Sequence, residues 1–274
     1  MKTLYVSDLD GTLLDRRAQL SEHTVRVIRD LIEKGILFSV ATARSQSAVS
    51  ILEKLGIVIP SIHLNGVLMY DNSTRKYIGC EPMDTSAARE IIKILKSFDR
   101  MSFVYKFDSD CGINVEFERL SNEVERNFFE ARKNNDYKSF KQTDEILVSD
   151  EDKVIYFTMV DKYERLLPIK NEISKVSGAK ATLYRDNYTD MFFLEVFSSR
   201  ATKAAGVVKL KEMVGADRLV TFGDNLNDLE MLSVSDFGIA VGDAVNEVKQ
   251  KADLVIGKSY EDGVAEFLLP ELNP

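Results

Sequence analysis

Two aspartates, Asp8 and Asp10, stand two residues apart in Asp8-Leu9-Asp10-Gly11-Thr12, just after the β-prone run Leu4-Tyr5-Val6. In extended chain, residues i and i+2 point to the same side, so two carboxylates converge there. Carboxylates crowded where water is scarce are costly unless a cation sits between them. Asp224, in Gly223-Asp224-Asn225-Leu226-Asn227-Asp228, supplies a third carboxylate after another strand-like run at 218–222. Mg²⁺ favours one or two carboxylates completed by phosphate oxygens and water. The Gly and distal Glu spacing of a calcium-binding loop is absent.

Two further clusters carry the complementary chemistry. Thr42-Ala43-Arg44 follows a continuous apolar run and precedes a helix-like segment. A Thr hydroxyl and the following N–H groups at a helix N-terminus can hold a phosphate. Lys203 enters a helix after Ser198-Ser199-Arg200-Ala201-Thr202 and can serve as a point charge for phosphate oxygens. Taken singly, each cluster has a plainer explanation: a turn at Asp10-Gly11, helix caps at Thr42 and Asp228, a solvated lysine at 203. Four such clusters, all expected at strand ends, carry more weight than any one.

The surrounding elements give those strand ends. Val25, Ile28, Leu31 and Ile32 recur at helical spacing between Ser21 and Gly35, and 36–41 reads as a strand buried on both faces. A second helix is expected over 45–55, and a strand over 61–64 closed by the turn dipeptide Asn65-Gly66. Strand and helix alternate again from 191 to 268. This pattern predicts an α/β fold, a Rossmann-like doubly wound parallel sheet, whose ligands bind beyond the carboxyl ends of the strands. Between 83 and 187 the rhythm changes: 101–107 and 113–117 are adjacent strand-like runs, and 153–160 and 181–184 are further strands, all set among helices. That reads as an inserted α+β domain, an antiparallel sheet with helices on one face. The expected organisation is therefore a core of 1–82 and 188–274 with an insertion at 83–187.

The chain has 274 residues and a formal net charge of −8, which disfavours a nucleic-acid partner. Two cysteines, Cys80 and Cys111, lack metal-ligand spacing and make no disulfide framework. No signal peptide is readable, and no run reaches the length of a membrane span, so a cytoplasmic protein without a membrane partner is expected. Oligomeric state is not readable. His23 and His63 fall outside the four clusters and read as structural.

In these clusters the chain resembles the haloacid dehalogenase superfamily, and within it the Cof-type phosphatases with a large α+β cap. Asp8-Leu9-Asp10-Gly11-Thr12-Leu13-Leu14 is similar to the first family motif, Thr42-Ala43-Arg44 to the second, Lys203 to the third, and Gly223-Asp224-Asn225-x-Asn227-Asp228 to the fourth. Ala240-Val241-Gly242-Asp243-Ala244 and Glu261-Asp262-Gly263-Val264-Ala265 also resemble this subfamily. The resemblance implies a Mg²⁺-dependent phosphatase for small phosphorylated metabolites, sugar phosphates foremost. Asp8 would be the nucleophile and Asp10 the general acid and base. Asp8, the Asp10 carbonyl and Asp224 would hold Mg²⁺, while Thr42, Lys203 and Asn227 would hold phosphate. Asp228 would orient Lys203 or a metal-bound water, with Arg44 and Asn65 in support. The insertion would be a cap that closes over substrate, with the 108–112 loop touching the leaving group.

Ala43, Ala204 and Asp243 depart from the family pattern, and Asp243 adds negative charge near the expected rim of the site. Two alternatives remain at this stage: a sugar phosphotransferase or phosphomutase using the same nucleophile, and a non-catalytic sugar-phosphate sensor. A dehalogenase has no use for Asp10.

Overall fold

The computed structural model describes all residues except 16, 46–47, 109–111, 135–137, 186–189 and 273–274. The chain divides into two compact units, Met1–Gly79 with Ala201–Pro274, and Cys80–Arg200. From the N-terminus the first unit contributes β1 (Thr3–Ser7), α1 (Glu22–Glu33), β2 (Leu37–Val40), α2 (Val49–Leu55), β3 (Ser61–His63), β4 (Leu68–Asp71) and β5 (Lys76–Cys80), the last reaching the boundary. The second unit holds α3 (Thr85–Ser97), β6 (Phe103–Asp108), β7 (Gly112–Phe117), α4 (Glu123–Glu130), β8 (Lys138–Gln142), β9 (Lys153–Asp161), α5 (Tyr163–Ile173), β10 (Ala179–Arg185) and β11 (Phe192–Ser198). The chain then returns through α6 (Lys203–Val214), β12 (Arg218–Gly223), α7 (Leu229–Val234), β13 (Phe237–Ala240), α8 (Asn246–Lys251), β14 (Leu254–Val255) and α9 (Gly263–Leu268).

The first unit is built on a parallel sheet of order β14-β13-β12-β1-β2. Alternation along β1 sends its apolar residues to two separate cores. Tyr5 joins Val27, Ile28 and Leu31 of α1 and Leu268 of α9, whereas Leu4 and Val6 join Val207 and Leu210 of α6. Helices thus cover both faces, the arrangement expected of continuously apolar strands. Helix α1 forms where the pattern places it: Ser21 accepts from the Thr24 N–H at its start, and Gly35 at φ +84 follows its end. After β3 the chain makes the Asn65-Gly66 turn and then β4, antiparallel to β3, with β5 beside it, two strands that lack a clear signal in the sequence.

The second unit is a six-stranded sheet of order β10-β11-β9-β6-β7-β8, antiparallel except for β7 with β8. Val104, Phe157, Met159, Leu194 and Val196 pack on one face with Ile91 and Leu95 of α3 and Leu166 and Ile169 of α5. Helix α4 is on the opposite face, where Phe128 meets Phe103, the neighbour of Val104 on the other side of β6. The sequence-based expectation of helices on a single face is corrected here. Tyr105 is buried edge-to-face against Tyr156. Tyr184 stacks on Phe193 and donates to Glu195 Oε1.

The insertion boundary also differs from 83–187. Strand β11 was expected in the parallel sheet, yet it pairs antiparallel with β10 and β9. An apolar run fits any strand covered on both faces, so composition alone does not assign β11 to a sheet. Arg200 closes the unit by pairing with Glu81 and Asp84 and donating to the Pro82 carbonyl. Of the expected leaving-group loop at 108–112, residues 109–111 lie outside the described residues.

Candidate active site

The site is built where three adjacent parallel strands end. β1 lies between β12 and β2, with Ser7 opposite both Phe222 and Val40. The Asp8 N–H still donates to the Phe222 carbonyl at 3.0 Å, so the chain is held to the sheet when it reaches the first carboxylate. Fully buried Leu9 then anchors a tight loop, its carbonyl accepting from the N–H groups of Thr12, Leu13 and Leu14. Gly11, at φ +86, turns the chain within that loop.

Asp8, Lys203 and Asp228 form a buried charged chain. Lys203 Nζ lies 2.5 Å from Asp8 Oδ1 and 2.7 Å from Asp228 Oδ1, and its side chain is 1% exposed. Lys203 is the first residue of α6, whose start is fixed by Thr202 Oγ1 accepting from the Ala205 N–H. Burial pulls the Lys203 ammonium downward, but the two carboxylates more than offset this and its pKa is raised. Asp228 is saturated: its Oδ2 accepts from the N–H groups of Asp224 and Asn225 while Oδ1 accepts from Lys203. Asp228 is therefore a structural brace that holds both the lysine and the turn carrying Asp224.

Asp224 Oδ1 accepts from Thr12 Oγ1 at 3.0 Å, linking the β12 and β1 loops. Thr12 thus belongs to the site. The signal was its place directly after the two aspartates and Gly11, but its partner is 212 residues away. Burial, then the charge of Asp228, pushes Asp224 up to about 6. Burial pushes Asp8 up to about 7 against the pull of Lys203, with Asp228 and Asp224 adding to the rise. Three carboxylates around one ammonium are under-neutralised.

That imbalance fits a further cation. Oxygens of Asp8, Asp224 and Asp228 all lie within 4.8 Å of one another. With Asp228 saturated, Asp8 and Asp224 are the members whose second oxygens, both Oδ2, have no hydrogen-bond partner among the described residues. All donors are hard oxygens, which suits a Mg²⁺-like ion. The Asp10 side chain is outside this cluster and pairs instead with Arg44, Nε to Oδ2 at 2.7 Å and Nη2 to Oδ1 at 2.5 Å. Only the backbone carbonyl of Asp10 is therefore left for a ligand role.

Thr42 is fully buried at the end of β2, and its Oγ1 accepts from the Arg44 N–H at 3.1 Å. It was expected at the N-terminus of the next helix, but α2 starts only at Val49. Thr42 instead heads a turn, a common substitute when the hydroxyl bonds its own backbone two residues on. The Asn65 N–H donates to the Thr42 carbonyl, and Asn65 Oδ1 accepts from Asn227 Nδ2 at 3.2 Å. Asn65 is thereby the link between the second and fourth clusters. Asp243 is half-buried, its carboxylate accepting from the N–H and hydroxyl of Ser259. It anchors the turn at Ser259 besides adding charge that raises Asp224.

The family model of haloacid dehalogenase-like hydrolases matches residues 5–268, covering both units and all four clusters. The chain belongs to this family. Among curated haloacid dehalogenase-family relatives, it is 27% identical over 271 residues to 5-amino-6-(5-phospho-D-ribitylamino)uracil phosphatase YitU of Bacillus subtilis, covering 97% of this chain and 96% of that one. It is 23% identical to pyridoxal phosphate phosphatase YbhA of Escherichia coli, covering 97% of each. The solved structure of TM0651 from Thermotoga maritima superposes with a TM-score of 0.75 at 23% identity, covering 100% of this chain and 98% of that one. The family membership makes the chain a haloacid dehalogenase-like hydrolase with the α/β fold described above, and both of these relatives are named as phosphatases. Among the described residues, no helix is long and apolar enough to cross a membrane.

Proposed function

We propose that this protein is a Mg²⁺-dependent phosphomonoesterase that hydrolyses small phosphorylated metabolites, sugar phosphates foremost, through an aspartyl phosphate on Asp8. The observation that carries this reading is Asp8 itself, buried just beyond the end of β1, held through Oδ1 by Lys203 and left with Oδ2 unpartnered among the described residues. A carboxylate held in one place by a buried lysine is oriented for attack on phosphorus.

In the first half-reaction an Asp8 oxygen bonds to phosphorus as the phosphorus–oxygen bond to the leaving alcohol breaks. Asp10 gives its proton to the departing alkoxide. In the second, water attacks the aspartyl phosphate, its proton passes to Asp10, and the Asp8–phosphorus bond breaks to release phosphate. Thr42, Lys203 and Asn227 hold phosphoryl oxygens, and Asp228 keeps Lys203 in place. Asp8, Asp224 and the Asp10 carbonyl would hold Mg²⁺. When bound, the ion supplies positive charge against the phosphoryl oxygens, which phosphoryl transfer requires in place of covalent chemistry. We assign selection of the leaving group to the inserted unit, Cys80–Arg200.

The names of two relatives, one a ribityl phosphate enzyme and the other a pyridoxal phosphate enzyme, set the breadth of the panel that tests this reading. Phosphate release from hexose phosphates, the ribitylaminouracil phosphate and pyridoxal phosphate is measured with Mg²⁺, with EDTA, and with Asp8→Asn. Release that is abolished in both controls and greatest on a sugar phosphate supports the proposal. Mg²⁺-independent release, or release by Asp8→Asn, contradicts it.

A further inference from the structure

The Asp10–Arg44 pair is the feature of this site whose role is unaccounted for by nucleophile, phosphate and cation. Arg44 engages both carboxylate oxygens of Asp10 through two different nitrogens, at 2.7 and 2.5 Å, the bidentate geometry that fixes a plane as well as a distance. The arginine itself is set on a rigid turn. Its N–H donates to Thr42 Oγ1, and its carbonyl accepts from the Leu64 N–H at 3.1 Å.

Asp10 needs such a restraint. Its side chain is 49% exposed, on a loop whose next residue is a glycine, and packing does not select its rotamer. It also stands two residues from Asp8, beside a site that calls for a cation, where a free carboxylate would be drawn among the metal ligands. The oxygens of Asp10 are absent from the acidic cluster of Asp8, Asp224 and Asp228. The fork on Arg44 explains that separation.

We propose that Arg44 is the positioning residue of the acid–base group: it holds the Asp10 carboxylate in one orientation, away from the metal ligands and available to the leaving group. This rests on the acid–base role of Asp10 proposed above. The rival role for an arginine at this place is to grip the substrate phosphate directly. The two differ in how they depend on the leaving group. An alkoxide needs a proton to depart, whereas an acidic phenol does not. A phosphate ligand matters equally to both.

The experiment compares kcat/KM, which reports events up to leaving-group departure, for an alkyl phosphate and for p-nitrophenyl phosphate. General acid catalysis contributes about 10²- to 10⁴-fold, so Arg44→Ala is expected to lower the alkyl-to-aryl ratio of kcat/KM by about 10- to 100-fold. In an Asp10→Asn background, Arg44→Ala is expected to cost the alkyl substrate little more, because the group it positions is gone. Arg44→Lys, which keeps the charge and loses the fork, is expected to lower the ratio less, and it serves if the alanine variant does not fold. Equal losses on both substrates, or losses that multiply in the double variant, would overturn the inference in favour of a phosphate ligand. If unaltered protein hydrolyses both substrates and Asp10→Asn leaves the ratio unmoved, the acid–base assignment fails and takes this inference with it. If Asp10→Asn moves the ratio and Arg44→Ala does not, the inference alone fails.

Discussion

Gly11 packs so closely on Asp224 that a Cβ at position 11 would stand 2.5 Å from Asp224 Oδ2. The glycine therefore leaves room for the one carboxylate oxygen of Asp224 that Thr12 does not engage. Its φ of +86 adds a second reason for glycine. Gly11→Ala is expected to displace Asp224, weaken Mg²⁺ binding at least tenfold by calorimetry, and cost about 1–3 kcal/mol of stability from backbone strain. Unchanged Mg²⁺ affinity in a folded variant would count against Asp224 as a ligand.

Gly66 makes a comparable approach at the other side of the site. A Cβ there would meet the Thr202 carbonyl oxygen at 2.2 Å, and φ is +102. Thr202 caps the helix that begins with Lys203. Gly66→Ala should push the Asn65 turn away from α6, lowering stability by more than about 2 kcal/mol and reducing turnover together. Urea denaturation alongside phosphate release checks both.

Asp228 is expected to be needed for folding as much as for activity. Its carboxylate accepts from Lys203 and from two backbone N–H groups with no exposure to solvent. Asp228→Ala leaves the buried ammonium with Asp8 alone and orphans both N–H donors. The expected loss is about 3–5 kcal/mol, read from the shift in denaturation midpoint. A loss below about 1 kcal/mol would show that the brace is dispensable.

His63 gives the protein a defined acid sensitivity. Its ring is buried between Ser61 Oγ at 2.9 Å and the Ser45 carbonyl at 3.1 Å, so Nδ1 donates to the carbonyl and Nε2 accepts from the hydroxyl. Burial lowers its pKa from 6.5 to about 4. In that window the unfolded chain binds the His63 proton and the folded one does not, so the stability contributed by His63 falls as pH drops from about 6.5 towards 4, against the opposite trend of the raised Asp8 and Asp224. The contribution is on the order of 3 kcal/mol. The stability advantage of the unaltered protein over His63→Asn should shrink as pH falls between these values, and a difference that does not change with pH would assign the sensitivity elsewhere.

Much of this site was legible in sequence because its parts are local signals at strand ends. Asp8 with Asp10, and Asp224 with Asp228, each announce themselves within a few residues. What bridges them was not legible. Thr12 to Asp224, Asn65 to Asn227 and Arg44 to Asp10 are contacts across the fold, and nothing in the local sequence of either partner selects the other. Asp243 illustrates the same limit: as a bare letter it was a charge at the rim, and its Ser259 partner makes it an anchor. The fold was read with the same strength and weakness. Helix α1 and strands β1, β2 and β12 follow from periodicity. Strand β11 was misassigned, because its apolar run suits a parallel or an antiparallel sheet alike, and the choice was made by pairing with β9 and β10.

The central claim is that Asp8 carries the phosphoryl group. Its most direct test is acid quenching of Asp10→Asn during turnover of ³²P-labelled p-nitrophenyl phosphate, whose leaving group needs no proton, followed by peptide mapping. The Asn variant slows hydrolysis of the intermediate by removing the base. The account predicts stoichiometric label on the peptide containing Asp8, absent when Asp8→Asn is added. Label that appears only in free phosphate, or on a peptide lacking Asp8, would contradict it.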